Sequence, residues 1–344
     1  MSAQMIAQRF QQLLDAHASW GKWALLLIVV LGVVLLVREQ ARAPSGIPSG
    51  QWFALDSRFI NDHILIKVDV PGVGNTWWML DTGSTHNLID KRYARNATSR
   101  GRIRDVNRKD FTFESVDLPT ARLAGEGREL GPLLELRNTG ALDLKTLARA
   151  VTRTPWRREQ LDGVEERLDA GDIVGVVGFP FLRQWVVSVD FPRQRVWIRA
   201  HSDAPMPPPG PSHHAPLHLR TELNKHKLLL VEMDVEGTRG PWSLDTGSNI
   251  TVMSHEHPLA KGGESAGPKR SAQLVNRSVP VEPRYFKTQF VGSNGESAPQ
   301  TTKIHVPEEA FAEAISGLDG NLGVNALKGH RLTFDYGNHD IVLD

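Results

Sequence analysis

The chain has 344 residues, 40% of them hydrophobic, which is enough to bury two hydrophobic cores. Its 40 lysines and arginines against 39 aspartates and glutamates leave a formal net charge of +1, so the electrostatics do not favour nucleic acid as a partner. No cysteine is present, which excludes disulfide bonds, thiolate catalysis and cysteine-ligated metal centres.

The first predicted element is a membrane-spanning helix at about residues 20–37. Residues 23–37 are apolar throughout, and the three residues before them bring the stretch close to the length that crosses a bilayer. A cleaved signal peptide is the main alternative, because residues 41–43 have small-x-small spacing, although Pro44 and the long segment before the apolar run argue against it. Positive charges are balanced on the two sides, so the membrane orientation stays open.

Two flanking segments complete the N-terminal region, residues 1–50. Before the apolar run, hydrophobic residues recur at helical spacing, which fits either an amphipathic helix on the membrane surface or an ordinary helix. After it, residues 41–50 are rich in Pro, Ser and Gly and are predicted to form a flexible tether. A second proline-rich segment, residues 201–216, predicts a linker between an N-terminal lobe at 51–200 and a C-terminal lobe at 217–344.

The two lobes repeat each other in sequence. Residues 64–89 and residues 228–253 both read as strand, glycine turn, strand, the tetrapeptide DTGS and a further strand. The closing segments, residues 175–198 and residues 320–343, align with each other without a gap. This internal duplication predicts an all-β protein whose two lobes are related by pseudo-twofold symmetry.

Each DTGS tetrapeptide places an acid at the end of an apolar strand, Asp81 in the first lobe and Asp245 in the second. The following glycine, Gly83 or Gly247, allows a tight turn and the close approach of another chain. A single DTGS could be an ordinary turn aspartate that caps its own backbone. Two copies in equivalent positions of a repeat favour paired carboxyl groups instead, flanked by the hydroxyls of Thr82, Ser84, Thr246 and Ser248.

These motifs resemble the aspartic peptidases, in which pepsin-like enzymes carry two such lobes on one chain and retropepsins build the pair by homodimerisation. The resemblance covers roughly residues 60–344 and rests on the apolar residues before each DTGS and on the later apolar-apolar-glycine segment 176–178. Residues 175–182 are more similar to bacterial retropepsin-like proteins than to secreted pepsins. The resemblance implies a bilobal pepsin-like, or duplicated retropepsin-like, acid protease fold behind one N-terminal transmembrane helix.

The resemblance also implies roles for individual residues. Asp81 and Asp245 would form the catalytic dyad, with Gly83 and Gly247 keeping their carboxyl groups nearly coplanar. The remaining positions would support the dyad: threonines that interlock the two loops, serines whose hydroxyls bond the outer carboxylate oxygens, and glycines that pack against the loops, namely Thr82 and Thr246, Ser84 and Ser248, and Gly178 and Gly323.

Two features depart from the family pattern. Asn321 interrupts the apolar pair expected before Gly323, and no tyrosine-bearing flap hairpin is evident in either lobe. Residues 120–130 and residues 286–304 are the flap candidates, with surface hairpins that do not contact substrate as the alternative.

The predicted function is a membrane-anchored aspartic endopeptidase that hydrolyses protein or peptide substrates with water activated between two aspartates. No cofactor is expected, and no metal, because the pairs His213-His214 and His255-x-His257 lack carboxylate partners at ligand spacing. The alternative is a catalytically silent module of the same fold that binds peptides or assembles an envelope complex. We expect mildly acidic to neutral conditions to suit the dyad.

The catalytic unit is predicted to be a monomer, because two acids on one chain meet at high effective concentration. Pairing of each lobe with another chain, as in retropepsins, is the competing arrangement. The anchor and the family likeness together predict a single-pass protein of a bacterial inner membrane with its lobes in the periplasm.

Overall fold

The computed structural model describes residues 51–94, 99–104, 110–128, 130–152, 172–201, 210–273, 278–295, 297–308 and 317–344. The predicted anchor at 20–37, its flanking segments and the middle of the predicted linker lie outside these residues. Within the described ranges, no helix has the length and apolar character needed to cross a membrane. The described ranges all fall within one compact unit.

In the first half of the molecule, strands are the main elements of the described residues between 51 and 201. Its strands are β1 (Phe53–Leu55), β2 (Ser57–Ile60), β3 (His63–Val70), β4 (Gly74–Leu80), β5 (Leu88–Asp90), β6 (Ser99–Arg104), β7 (Asp110–Ala124), β8 (Leu130–Leu142), β9 (Ile173–Val177), β10 (Val186–Asp190) and β11 (Arg195–Arg199). Its helical elements are α1 (Lys145–Thr152), α2 (Phe179–Leu182) and 3₁₀ turns at Lys91–Tyr93 and Glu126–Arg128.

The second half has the same character. Its strands are β12 (Leu217–His218), β13 (Thr221–Leu223), β14 (Leu229–Val235), β15 (Thr238–Leu244), β16 (Thr251–Met253), β17 (Glu264–Ser265), β18 (Arg270–Gln273), β19 (Ser278–Val291), β20 (Ser297–Pro307), β21 (Gly320–Leu322), β22 (Arg331–Asp335) and β23 (Asp340–Leu343). A 3₁₀ turn covers Val324–Ala326. The prediction of a mainly β protein is therefore confirmed.

Each half builds its own sheet by the same plan. The first has eight strands in the order β2-β3-β4-β9-β5-β8-β7-β6, and the second has nine, β13-β14-β15-β21-β16-β20-β19-β17 with β18 paired to β19. In both sheets a hairpin, β3–β4 or β14–β15, leads into the DTGS loop. The last strand of that hairpin then pairs in parallel with β9 or β21. The repeat seen in the sequence is thus a repeat of strand pairing.

A third sheet joins the two halves. Its six strands run in the order β1-β11-β10-β22-β23-β12, with β10 and β22 antiparallel at the centre. Ser188 lies opposite Thr333 there, and their hydroxyl oxygens are 2.9 Å apart. These residues occupy equivalent positions of the repeat, so the local twofold axis passes between them. All residues of β10 and β22 are buried, which ties the lobes together through one hydrophobic core.

Packing beneath the DTGS loops depends on two tryptophan–glycine contacts. Trp78 in β4 and Trp242 in β15 are fully buried. A methyl group added at Gly175 would come within 2.6 Å of ring atom Cδ2 of Trp78, and one at Gly320 within 2.6 Å of Cε3 of Trp242. Each indole therefore occupies the space that a side chain would fill on the neighbouring parallel strand.

Candidate active site

The two DTGS loops are locked together by reciprocal hydrogen bonds between Thr82 and Thr246. The Thr82 backbone N–H donates to Thr246 Oγ1 at 3.1 Å, and the Thr246 N–H donates to Thr82 Oγ1 at 2.9 Å. Each hydroxyl then donates to a backbone carbonyl of the other lobe, at Leu244 (2.8 Å) or Leu80 (3.0 Å). Both threonines are fully buried. The structure thus brings together residues that are 164 positions apart in the chain.

The two glycines hold the carboxyl groups of Asp81 and Asp245 in place. The Gly83 N–H donates to Asp81 Oδ1 at 2.8 Å, and the Gly247 N–H donates to Asp245 Oδ1 at 2.9 Å. A methyl group at Gly83 would lie 2.6 Å from Asp245 Oδ1, and one at Gly247 would lie 2.5 Å from Asp81 Oδ1. Each carboxyl group therefore sits over the glycine of the opposite loop, and the two acids meet at the junction of the lobes.

Their proximity and removal from water change how the two carboxyl groups hold protons. Burial, followed by the charge of Asp245, raises the pKa of Asp81 well above its usual value. Burial also raises the pKa of Asp245, but hydrogen bonds from Asn321 and with Asp81 oppose this, together with the backbone N–H groups of Gly247 and Ser248. Two carboxyl groups this close do not both ionise easily, so the pair is arranged to share one proton.

Asn321, which departs from the family pattern in the sequence, is a member of the site. Its side-chain Nδ2 donates to Asp245 Oδ2 at 2.7 Å. The hydroxyl of Ser243 in turn donates to Asn321 Oδ1 at 2.7 Å. The signal available in the sequence was the polar residue itself, which stands where the first lobe has Val176.

The serines of the two DTGS motifs do not make the predicted contact. The Ser84 hydroxyl donates to the carbonyl of His86 at 2.8 Å, and the Ser248 hydroxyl donates to the carbonyl of Ile250 at 2.8 Å. The predicted bonds from these hydroxyls to the carboxylates are therefore wrong, because each hydroxyl has only one proton and uses it to close its own turn. Backbone N–H groups of both serines act on the carboxyl groups instead and oppose the rise of their pKa values.

Two further glycines lie against the loops. The Gly178 N–H donates to Asn87 Oδ1 at 2.9 Å, and a methyl group on Gly178 would come within 2.5 Å of the Ser84 carbonyl oxygen. A methyl group on Gly323 would overlap the backbone of Ile250. Both positions therefore require the close backbone approach that only glycine allows.

Two ionisable residues reach the loops from distant parts of the chain. The Tyr336 hydroxyl donates to the Thr82 carbonyl at 3.4 Å, and burial, with the charges of Asp81 and Asp245, raises its pKa. His63 lies beside the backbone of Gly247, and burial lowers its pKa to about 4. Neither was singled out from the sequence, since nothing local marks a contact between residues as far apart as Tyr336 and Thr82.

The turns of the two flap candidates form backbone bridges with residues in or next to the six-stranded sheet. In residues 120–130, Gly125 forms a backbone bridge with Leu55 of β1. In residues 286–304, Gly292 bridges Leu219, the residue that follows β12. Each turn is thus tied by one bridge to the edge of the six-stranded sheet, which favours the surface-hairpin alternative.

The histidine pairs considered as metal ligands have other partners. His213 Nε2 lies 2.8 Å from Asp190 Oδ1, and His214 Nε2 lies 3.2 Å from the Gly329 carbonyl. His257 packs near Asp319, 3.6 Å from its carboxylate. Within the ranges that the structure describes, no group of three or more metal-ligating side chains could hold an ion.

Comparison with known proteins leaves the chain without a family assignment. No protein-family model matches it. No curated protein matches it either. Among solved structures, the chain is similar to the basic 7S globulin from soybean, with 9% sequence identity, a TM-score of 0.48, and coverage of 86% of this chain and 95% of the globulin. A likeness of this strength adds nothing about chemistry, so the function is argued from the site itself.

Proposed function

We propose that this protein is an aspartic endopeptidase in which Asp81 and Asp245 activate a water molecule for attack on a peptide bond. The observation that supports this proposal is the placement of each carboxyl group over the glycine of the opposite loop, where burial and then the charge of Asp245 raise the pKa of Asp81. As whole residues, Asp81 and Asp245 are half-buried and not fully enclosed, which is compatible with the approach of a water and a substrate carbonyl. The pepsin-like bilobal fold expected from the two DTGS motifs belongs to this proposal.

In the first step, the Asp245 carboxylate accepts a proton from the water as its oxygen attacks the peptide carbonyl carbon. The Asp81 carboxyl group donates its proton to the carbonyl oxygen at the same time. The product is a tetrahedral diol, and the protonation states of the two aspartates are now exchanged.

In the second step, Asp245 donates its proton to the amide nitrogen and the carbon–nitrogen bond breaks. Asp81 takes a proton from one hydroxyl of the diol as the carbonyl bond re-forms. The products are a carboxylic acid and an amine, and the dyad returns to its starting state. Because both acids come from one chain, the proposed catalytic unit is a monomer.

The test is cleavage of an unbiased peptide library, followed by mass spectrometry, with the full chain and its Asp81→Asn and Asp245→Asn variants. We expect each variant to lose at least about 10³-fold in cleavage rate. The matched control is Asp340→Asn, which removes a surface carboxylate 3.3 Å from His218 and should cut like the unaltered chain. Cleavage retained by both dyad variants would refute the proposal.

The same experiment distinguishes the silent binding module. If the unaltered chain retains peptides from the library but cuts none of them, the fold serves binding and the endopeptidase proposal fails. A statine-type inhibitor, which imitates the tetrahedral diol, should compete with peptide binding only if the paired carboxyl groups contact the substrate.

The proposal extends to the cell membrane. The uniformly apolar run at 23–37 supports a single-pass anchor at about 20–37, and we propose that the lobes lie in the periplasm of a bacterium. We expect activity from a C-terminal reporter that works only outside the cytoplasm. A reporter active only in the cytoplasm would contradict this placement.

A further inference from the structure

The two carboxyl groups of the dyad have unequal neighbours although their loops repeat each other. Asp245 Oδ2 accepts a hydrogen bond from Asn321 Nδ2 at 2.7 Å, on the side away from the Oδ1 atom that accepts from Gly247. Asn321 is itself held by the Ser243 hydroxyl at 2.7 Å. A short relay of two side chains therefore ends on one aspartate.

Strand register shows that the first lobe has no such relay. In the second lobe, Ser243 of β15 is paired with Asn321 of β21. The corresponding pair of β4 and β9 is Met79 and Val176. These two residues are apolar and buried in a small hydrophobic cluster, and neither side chain carries an N–H or O–H group. The donor to the outer oxygen of Asp245 thus has no counterpart at this position beside Asp81.

We propose that Asn321, oriented by Ser243, is a positioning residue that assigns the negative charge of the dyad to Asp245 and the proton to Asp81. The catalytic meaning of this assignment rests on the proposed function, in which Asp245 is the base and Asp81 the acid. The assignment itself concerns where a proton resides and can be measured whether or not the chain cleaves peptides.

The direction follows from the chemistry of an amide facing a carboxyl group. An N–H donor stabilises the ionised carboxylate more than the neutral acid. With the Ser243 hydroxyl donating to Oδ1, the NH₂ group of Asn321 faces Asp245. The reversed amide would place an oxygen against Asp245 and would require that residue to hold the proton. The two orientations of one amide therefore correspond to the two ways of charging the dyad.

Other ionisable groups near the loops do not supply this asymmetry. His63 lies beside the Gly247 backbone, and burial lowers its pKa to about 4, which leaves it neutral at mildly acidic to neutral pH. Tyr336 stays neutral because its pKa is raised. His86, next to the first loop, is partly buried, and burial lowers its pKa. Each of these three groups is therefore shifted toward its neutral form, and none of them accounts for a difference between Asp81 and Asp245.

The experiment is a pH titration of the full chain labelled with carbon-13 at the aspartate carboxyl carbons, followed by NMR. Signals are assigned by their absence in Asp81→Asn and Asp245→Asn. We expect Asp245 to ionise at lower pH than Asp81 in the unaltered chain. Asn321→Val copies the first lobe and should raise the lower pKa of the pair by about one unit. Ser243→Ala should shift it in the same direction by less.

Two outcomes would overturn the proposal: ionisation of Asp81 before Asp245, or titrations unchanged in both Asn321→Val and Ser243→Ala. Circular dichroism checks that each variant is folded, and Ser243→Ala alone decides the matter if Asn321→Val does not fold. Peptide cleavage is measured in parallel. If Asp245 ionises first but no peptide is cut, this inference holds and the endopeptidase proposal fails. If peptides are cut but Asp81 ionises first, only this inference fails.

Discussion

The two lobes share a backbone plan but differ in the surroundings of their acids. Each lobe places a buried tryptophan against a glycine of the parallel strand and an interlocked threonine beneath its carboxyl group. The lobes differ at one pair of facing strand positions, which holds Met79 and Val176 in the first lobe and Ser243 and Asn321 in the second. The packing around the loops is therefore the same in both lobes, whereas the proposed charge asymmetry of the dyad comes from the side chains of Ser243 and Asn321.

The largest expected effect on stability tests the shared packing. Gly175→Ala and Gly320→Ala each force a methyl group into an indole ring, so we expect each to lower the free energy of unfolding by about 3 kcal/mol. Urea denaturation measures both. Gly329→Ala is the control, because a methyl group there meets no atom within 4 Å. Clearly unequal losses of unfolding free energy would show that the tryptophan–glycine packing is not equivalent in the two lobes.

The threonine lock is the next test. Thr82→Val and Thr246→Val each remove two buried hydrogen bonds, and each should lower the free energy of unfolding by about 2 kcal/mol. The two variants remove different pairs of bonds, so the departure of the double variant from the sum of the two losses measures how strongly these neighbouring bonds depend on each other.

Thr139→Val is the matched control for the threonine lock. The Thr139 hydroxyl is buried and has no hydrogen-bond partner in the described part of the chain. Its removal should therefore cost little or nothing. A loss at Thr139 as large as that at Thr82 would show that the hydrogen bonds of the lock are not the source of the effect.

Two buried aspartates at equivalent ends of β10 and β22, Asp190 and Asp335, have different partners, and the difference should give a small pH-dependent effect on stability. Asp190 bonds Arg193 and His213, whereas Asp335 lies 3.0 Å from His201 Nδ1. Burial alone would lower the pKa of His201, but contact with Asp335 and its charge outweigh burial and raise it. The stability from this pair is therefore complete below the usual histidine pKa of about 6.5 and is lost as pH rises through the folded value.

His201→Gln should consequently destabilise the protein more at pH 5.5 than at pH 8. We expect a difference below about 1 kcal/mol in the free energy of unfolding, measured by urea denaturation at both pH values. A greater loss at pH 8 would mean that the histidine is held neutral and that the sign of the linkage is reversed.

Much of the framework was predictable from the sequence because its signals are local. The strand-turn-strand-DTGS repeat is read from alternating apolar residues and glycine turns, and its duplication indicated that the two acids would be paired. The role expected for Thr82 and Thr246 came from family resemblance, and their reciprocal bonds appear in the structure.

The remainder depends on contacts that no local pattern records. Asn321 reaches Asp245 because β21 pairs in parallel with β15, across 76 residues of chain. Tyr336 contacts Thr82 across 254 residues. The serine hydroxyls were misassigned because a DTGS serine can bond either the acid or its own turn, and only the backbone conformation decides between them.

The claim that two carboxyl groups work around one shared proton is tested most directly by the pH dependence of kcat/KM. Activity should fall at low pH, as Asp245 gains a proton, and fall again at high pH, as Asp81 loses the proton that its raised pKa lets it keep. We predict a bell-shaped profile with its maximum in the mildly acidic to neutral range. Activity confined above pH 8 would contradict the account, because both carboxyl groups would then be ionised.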